Sequence, residues 1–599
     1  KVIIMFSTIA REYKYIRFFV KLLGRSKKLD KNKSLTVPDM IEESIDKFPN
    51  NIAIEFEDKS YTYSDLDKES NQVANWAIKK GYKTGDVVAL LMENKPEFIF
   101  IWLGLSKLGI TIACLNNNIK SKSLAHCIQT SKSKSLILSS DLIDNYSSAE
   151  DLIDNQLSVY VSGDKVQGFE NIDDDNEKNT NRPNSSIRKT LTNSESLFYI
   201  YTSGTTGLPK ASNFSHQKFA VGSGLQMFSL NMKSTDKTYL VLPLYHATGG
   251  VVGLGSTLFT GGTVVLRKKF SVEKFWEDCA KYNVTVITYI GELFRYLISA
   301  PKNEFEKQHN IRGMYGNGLR PDVWKVVQDR FGINNIIEFY GASEGNVSLT
   351  NVDSRFGSIG RIPPYAKNAL PTKIVKFDVV NEKVVRNEDG FCIECEDDEA
   401  GEVIGLIPNE DKFSGKFEGY TDKEATEKKI LKDVFEKGDQ WFSSGDLLKR
   451  DKDGYYFFVD RIGDTFRWKS ENVATSEVSE AISTFAGVKE ANVYGVLVPG
   501  EDGRAGMASI VPGEEFSING LYEHLSQHLP KYSIPVFIRI SKEIEVTGTF
   551  KYKKTDLVKD GFDPSVVKDQ MYYASTSEND YIDLDANVFK KISDHELKL

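Results

Sequence analysis

Cysteine is scarce. The five thiols in 599 residues (Cys114, Cys127, Cys279, Cys392, Cys395) make no framework, which argues against a disulfide-stapled secreted scaffold and for a reducing compartment. Cys392-Ile-Glu-Cys395 has CxxC spacing but stands alone in a strand-like alternating run. Without a second ligand pair it reads as structural rather than as a zinc or redox site. The seven histidines form no metal-type cluster, and no Ser/His/Asp or Cys/His arrangement for covalent catalysis is evident. No stretch reaches the roughly 18–20 apolar residues of a membrane span. A net charge of −8 gives no global reason to expect nucleic acid.

What is present is organised around residues 197–210. An apolar, aromatic run, Leu197 to Tyr201, reads as a buried strand. It empties into Thr202-Ser203-Gly204-Thr205-Thr206-Gly207-Leu208, followed by Pro209-Lys210. Glycines let the backbone turn and present N–H groups to an anion, hydroxyls add donors, and Lys210 brings a positive charge. This is a phosphate cradle, although not the Gly-x-x-x-x-Gly-Lys-Ser/Thr loop, because Lys210 stands three residues past Gly207. A flexible Gly/Ser/Thr linker is the plainer reading. It fits poorly, since linkers rarely follow an aromatic strand.

The chain is too long for one core, so two or more domains are expected. It opens on Lys1 rather than Met, from which a missing native N-terminus is expected, and a span upstream of Lys1 stays open. Residues 1–34 hold ten basic side chains against two acidic ones, and Ile16, Phe19, Val20 and Leu23 recur at helical spacing. That arm reads equally as a basic amphipathic helix on an anionic membrane surface or as a solvated or core-docked helix. From Leu35 onward short strands alternate with longer helices, the pattern of a parallel sheet covered by helices. Helices are expected over 38–48, 63–80 and 96–108, and strands over 52–56 and 86–92. The polar stretch 171–186 reads as a loop or disordered insert.

Candidate site residues follow at strand-to-loop turns: Leu242-Pro-Leu-Tyr-His246, Gly316-Asn317-Gly318, Phe339-Tyr-Gly341-Ala342-Ser343-Glu344-Gly345, and Phe442-Ser-Ser-Gly-Asp446. A lone carboxylate beside a phosphate loop repels a phosphate anion unless a cation intervenes, and Mg²⁺ takes one or two carboxylates plus phosphate oxygens, so Glu344 reads as a magnesium ligand. Asp446 has the chemistry to accept ribose hydroxyls. After Arg461 the pattern restarts as a small α+β unit with helices over 477–486 and 521–528 and strands over 489–498 and 536–540. Gly463 suits a hinge. Near the end of that unit lies Thr547-Gly-Thr-Phe-Lys551-Tyr-Lys553-Lys554, whose cations suit charge developing at a phosphate. Each has a plainer reading: a capping histidine at 246, a solvated turn carboxylate at 344, a structural Asp446–Arg461 salt bridge, a basic strand end at 551–554.

Taken together these motifs resemble the adenylate-forming superfamily of acyl- and aryl-CoA synthetases, firefly luciferase and peptide-synthetase adenylation domains. Leu90-Leu-Met-Glu-Asn94, Trp102-Leu-Gly-Leu, Tyr340-Gly-Ala-Ser-Glu-Gly-Asn346, Asp460 to Ala474, Gly503-Arg-Ala-Gly506 and Thr547 to Lys551 look closer to its fatty acid transport protein, or very-long-chain acyl-CoA synthetase, branch. The resemblance covers about residues 36 to 565. It implies an α/β fold: a large N-terminal adenylate-forming domain (35–460) with parallel sheets and a β-subdomain, then a small mobile α+β C-terminal domain (461–575), flanked by the arm (1–34) and a tail (576–599).

By the same resemblance, Thr202, Ser203, Gly204, Thr205, Thr206, Gly207 and Lys210 hold the ATP phosphates and Glu344 the Mg²⁺. Asn317, Gly341, Ala342, Ser343, Asp446 and Arg461 hold the nucleotide, His246, Gly316 and Gly318 line the acyl pocket, and Gly463 is the hinge. Lys551, with Thr202 and Glu344, serves catalysis. Two residues separate Gly548 from Lys551, as in that branch, and Ser470 replaces the usual Gly in the loop facing the pantetheine tunnel.

The activity implied is ATP-dependent formation of long-chain or very-long-chain acyl-CoA from a fatty acid and coenzyme A, coupled or not to uptake. Two rivals stay open: a membrane fatty-acid transporter without essential catalysis, and a bile-acid or aryl-CoA synthetase. The implied location is a cytosol-facing membrane (endoplasmic reticulum, plasma membrane or lipid droplet), with the peroxisome as the alternative from Leu597-Lys-Leu599. Nucleic acid is not an expected partner, and the oligomeric state is not legible.

Overall fold

Runs such as Val87–Leu91 and Ser135–Ser139 are apolar on both faces, as strands sandwiched between helices must be. In the computed structural model they build two mainly parallel sheets. The structure describes residues 2–599 except 154–156, 175–178, 203–207, 369, 380, 409–415, 470, 500, 502, 546–553, 576–577, 595 and 598–599. The first sheet has seven strands, running in space Glu170–Asn171, Ser158–Ser162, Ser135–Ser139, Val87–Leu91, Thr111–Cys114, Ser196–Thr202, Lys210–Ser215. All are parallel except the last, which folds back on its predecessor as a hairpin. The second sheet has eight strands, with Gly313–Asn317 beside Ile336–Gly341 near one edge and the hairpin Ile52–Phe56/Lys59–Thr62 at the other. One core fills the space between them, with Trp102, Phe198, Phe219, Tyr239, Trp276, Tyr289 and Trp324 buried together. Full burial of such side chains contributes about 1.5–3 kcal/mol each.

An antiparallel sheet forms the β-subdomain, its long strands Gly401–Ile407, Gln440–Arg450 and Tyr455–Arg461 adjacent. The small unit after Arg461 has its own five-stranded sheet and core. Residues set apart as a tail contribute to it: Asp580–Asp583 pairs with Gln570–Ser575, and Tyr581, Leu584 and Ile592 are buried. The helices expected in the first hundred residues lie at Val37–Lys47, Tyr63–Lys79 and Pro96–Ser106.

Two regions resolve alternatives that the sequence left open. The described part of the 171–186 stretch is tied down rather than loose, because the Arg182 guanidinium reaches Asp46 (2.7 Å) and Asp67 (2.8 Å). The arm is one helix, Val2–Lys31, and it is docked. Tyr15 and Phe18 pack on Val352, Leu29 on Met40 and Ala220, and Glu12 pairs with Arg361 at 2.7 Å. A second apolar line, Ile9, Tyr13, Ile16, Val20 and Leu23, is exposed. The 4-3-4-3 spacing of that line and of 11, 15, 18, 22, 25, 29 puts the two on opposite sides of the helix. No helix among the described residues is long and apolar enough to cross a membrane.

Candidate active site

The hairpin of the first sheet frames the glycine- and hydroxyl-rich loop. Thr202 is registered opposite Lys210, so the loop's two ends are held side by side by the strand ladder. Ser203 to Gly207 themselves lie outside the described residues. A distant segment joins the hairpin's outer edge. The backbone of Asn213 donates to Gly419 (3.0 Å), Thr421 donates to Ala211 (2.9 Å), and Ser212 bridges Tyr420. This delivers Tyr420 to the loop's base, with the Lys210 ammonium 5.6 Å above its ring. Burial is the main reason the Tyr420 phenol is harder to ionise, and Glu344 beside it adds to this while the Thr202 hydroxyl opposes it. Tyr420 thus joins Thr202 and Lys210 on one side to Glu344 on the other. The sequence reading missed it.

Glu344 sits on the turn after Ile336–Gly341, closed by the Gly345 N–H donating to the Ala342 carbonyl (3.2 Å). Two residues before that turn's Ala342, the Tyr340 hydroxyl donates to Asp446 Oδ2 at 2.6 Å. Asp446 is presented by a bend in Gln440–Arg450. There Glu402 accepts the Ser443 hydroxyl (2.6 Å) and the Gly445 N–H (3.0 Å). Arg461, registered opposite Asp446 on the next strand, lies 3.9 Å from it. The ion pair noted as the plainer reading therefore exists, while half of the carboxylate faces Tyr340.

Asn317 ends the neighbouring strand. Its Oδ1 is buried without a hydrogen-bond partner among the described residues, the kind of acceptor a ligand N–H would satisfy. The chain turns at Gly318 with φ +80°, which a side chain would strain. Glu338 holds this turn. Its carboxyl accepts from Gly318 N (2.9 Å), Leu319 N (3.1 Å) and the Tyr289 hydroxyl. Burial pushes the Glu338 carboxyl up to about 8, against the pull of those donors. A carboxylate inside the apolar run Ile336-Ile-Glu-Phe-Tyr340 was the sequence signal for it.

His246 begins the π-helical turn Ala247–Gly253, its ring against Tyr245 at 4.5 Å between centroids. It follows the strand Lys237–Leu240, two places along the sheet from Gly313–Asn317. Gly463 has φ +90° with open space where a Cβ would stand, in a turn closed by Asp464 N and Thr465 N on the Arg461 carbonyl (3.1 and 3.2 Å). On either side of it, buried Asp460 accepts from Thr475, and Lys554 Nζ reaches Asp464 (3.1 Å) and Thr475 Oγ1 (2.9 Å). Arg320, just past the Gly316–Leu319 turn, contacts Ser479 of the small unit at 3.4 Å. Lys551 and Ser470 lie outside the described residues. All five thiols are buried. No group of three or more His, Cys, Asp or Glu side chains suited to a metal occurs among the described residues.

The structure thus gathers Thr202, Lys210, Glu344, Asp446 and Arg461 through Tyr420 and Tyr340. It sets Asn317 and Gly341 at the ends of adjacent parallel strands, where ligands bind in sheets of this kind. A single carboxylate near hydroxyls suits a magnesium ion shared with phosphate oxygens, and the nearby Lys210 ammonium suits the phosphates themselves.

Comparison with known proteins agrees over nearly the whole chain. The AMP-binding enzyme family model matches residues 41–402, and that for the AMP-binding enzyme C-terminal domain matches 477–551. Long-chain fatty acid transport protein 2 of Rattus norvegicus is 41% identical over 595 residues, 98% of this chain and 95% of that protein. Long-chain fatty acid transport protein 1 of Bos taurus is 40% identical over 566 residues, covering 93% and 87%. Among solved structures, the anthranilate CoA ligase AuaEII in complex with anthranoyl-AMP has a TM-score of 0.72 at 19% identity, covering 87% of this chain and 96% of that one. The o-succinylbenzoate coenzyme A synthetase of Bacillus subtilis, in complex with ATP and magnesium ion, has a TM-score of 0.67 at 21% identity, covering 87% and 99%. At these identities the likeness shows a shared fold.

Proposed function

Because the chain belongs to the AMP-binding enzyme family, with the adenylate-forming fold and long-chain fatty acid transport proteins as relatives, we propose that it is an ATP-dependent fatty acyl-CoA ligase. The fatty carboxylate attacks the α-phosphorus of ATP, giving acyl-adenylate and pyrophosphate. The thiol of coenzyme A then attacks the acyl carbonyl and AMP leaves. The observation that carries the reading is the clustering of Lys210 over Tyr420, with Glu344 beside that ring, and of Tyr340, Asp446 and Arg461, around the loop framed by Thr202 and Lys210.

In this reading Thr202 to Gly207 and Lys210 hold the phosphates, and Asn317, Gly341 to Ser343, Asp446 and Arg461 hold the nucleoside. His246, Gly316 and Gly318 face the acyl group, and Lys551 meets the charge that develops at the α-phosphate. Glu344 would hold Mg²⁺, which when bound offsets the negative charge of the phosphates. Catalysis is positioning and charge stabilisation, with no side-chain nucleophile. The division into a large domain to residue 460 and a small one that turns at Gly463 belongs to the same proposal. A cavity of about 340 Å³ lined by Trp468, Lys469, Glu471, Tyr522, Lys531 and Tyr532 has the rings and the two lysines to take a ring-bearing co-substrate such as coenzyme A.

Membrane contact through the exposed line of the arm helix is part of the proposal, supported by Lys14 and Lys27, exposed on the same helix. The test is fatty-acid-dependent pyrophosphate release from Mg·ATP, with and without coenzyme A, across saturated acids from C8 to C24. Release with long chains, acyl-CoA only when coenzyme A is present, and loss of both in Lys551→Ala are expected. No turnover with any fatty acid, in folded protein that binds ATP, would overturn the substrate assignment in favour of another acid or a non-catalytic carrier.

A further inference from the structure

The turn that presents Glu344 is pinned by a residue 125 positions earlier in the chain. Lys218 lies in the first turn of the helix His216–Ser229. Its Nζ donates to the carbonyl of Ser343 at 2.6 Å and to that of Gly345 at 3.1 Å, the residues on either side of Glu344. The base of Lys218 is itself fixed. Its backbone N–H donates to the capping hydroxyl of Ser215 (3.0 Å), and Glu418 holds Ser215 through the backbone N–H (2.9 Å) and the hydroxyl. Glu418 belongs to the segment that brings Tyr420 to the loop. The ammonium has lost water, and the charges facing it are Glu418 and Glu344.

Two charge-assisted hydrogen bonds on flanking carbonyls orient both peptide planes around one residue, and with them the direction of its side chain. A hydrocarbon side chain would fill the same space and orient nothing. We propose that Lys218 is a positioning residue, aiming the Glu344 carboxylate at the magnesium that accompanies ATP. This rests on the reading of Glu344 as the magnesium ligand. It assigns a function to a helix whose sequence gave no sign of one. The structure places Lys218 so that one side chain ties the helix after the phosphate loop to the turn that holds the metal. The two halves of the site then move together.

The experiment titrates Mg²⁺ against pyrophosphate release by the full chain with a C16 fatty acid, in wild type, Lys218→Met, Lys218→Arg, Glu344→Gln and Lys218→Met/Glu344→Gln. Misplacing a ligand by even 1 Å costs up to about a hundredfold, so Lys218→Met is expected to raise the half-saturating Mg²⁺ about tenfold and lower kcat about tenfold. Lys218→Arg should recover part of each. In the Glu344→Gln background Lys218→Met should add less than about twofold, since the pair acts as one unit. Unchanged Mg²⁺ dependence in Lys218→Met, or losses that multiply in the double variant, would overturn the proposal and leave Lys218 a structural staple. Identical Mg²⁺ dependence in wild type and Glu344→Gln would instead overturn the metal assignment, and this inference with it. If Lys218→Met does not fold, Lys218→Gln decides: a raised Mg²⁺ requirement at unchanged melting temperature supports the proposal, and a wild-type requirement overturns it.

Discussion

Tyr340 and Glu338 stand two residues apart on one strand and serve different parts of the nucleotide reading. The Tyr340 hydroxyl is a donor to Asp446, so Tyr340→Phe removes that donor and keeps the Arg461 pair. A hydrogen bond to a charged group is worth about 1.5–3 kcal/mol, part of which Arg461 recovers, so KM for ATP is expected to rise about 3- to 10-fold in initial-rate kinetics. Thermal stability should stay close to wild type. Glu338 makes a pH prediction. Its carboxyl titrates near 8 in the folded chain against an ordinary value of 4.5, so the native state binds this proton more tightly than the unfolded chain does. Stability therefore falls as pH rises between the two values and levels off above the higher one, by on the order of 5 kcal/mol for a shift of this size. Denaturant unfolding at pH 5, 7 and 9 should show that decline in wild type and a flatter profile in Glu338→Gln. An equal slope in both would remove Glu338 as its source.

At the scale of elements, what was legible in the sequence followed from local pattern. The helices after Thr36, Thr62 and Lys95 announce themselves by capping residues or by proline in the first turn. The strands are short apolar runs between turn signals. The hairpin that frames the glycine-rich loop and the turns at Gly316, Gly341 and Asp446 were legible because glycine and small polar residues follow apolar strands. Tyr420 and Lys218 were not, because each reaches the site through contacts more than a hundred residues away in sequence, which no local pattern encodes. The arm was half legible. Its outward line was visible, but an apolar stripe on both sides of one helix looks, in sequence, like a single broad face. For the hinge, Gly463→Ala meets no neighbour yet holds a left-handed backbone, which costs roughly 1–2 kcal/mol. It is expected to slow acyl-CoA formation more than pyrophosphate release in single-turnover assays of the two steps. Equal slowing would remove Gly463 as the pivot.

For the whole molecule, the arm sets the orientation of any surface it touches. The docked side of the helix is fixed to the body through Tyr15, Phe18 and the Glu12–Arg361 pair, so the outward line is held rather than trailing. Replacing Ile16 and Val20 by Asp is expected to abolish cosedimentation with vesicles containing phosphatidylserine while leaving fatty-acid activation in detergent unchanged. Retained cosedimentation would assign membrane contact to another face. One further consequence lies in the pairing of Asp446 with Arg461. The two face each other across adjacent strands, and Arg461 is the last strand residue before the turn at Gly463. In the roles proposed for Asp446, Arg461 and Gly463, a ligand that draws on either member also pulls on the pivot, and thermodynamic reciprocity runs the other way with equal force. Nucleotide affinity and the angle of the small domain are then two readings of a single free energy. A crosslink that fixes the angle should change the affinity for AMP without touching a contact residue.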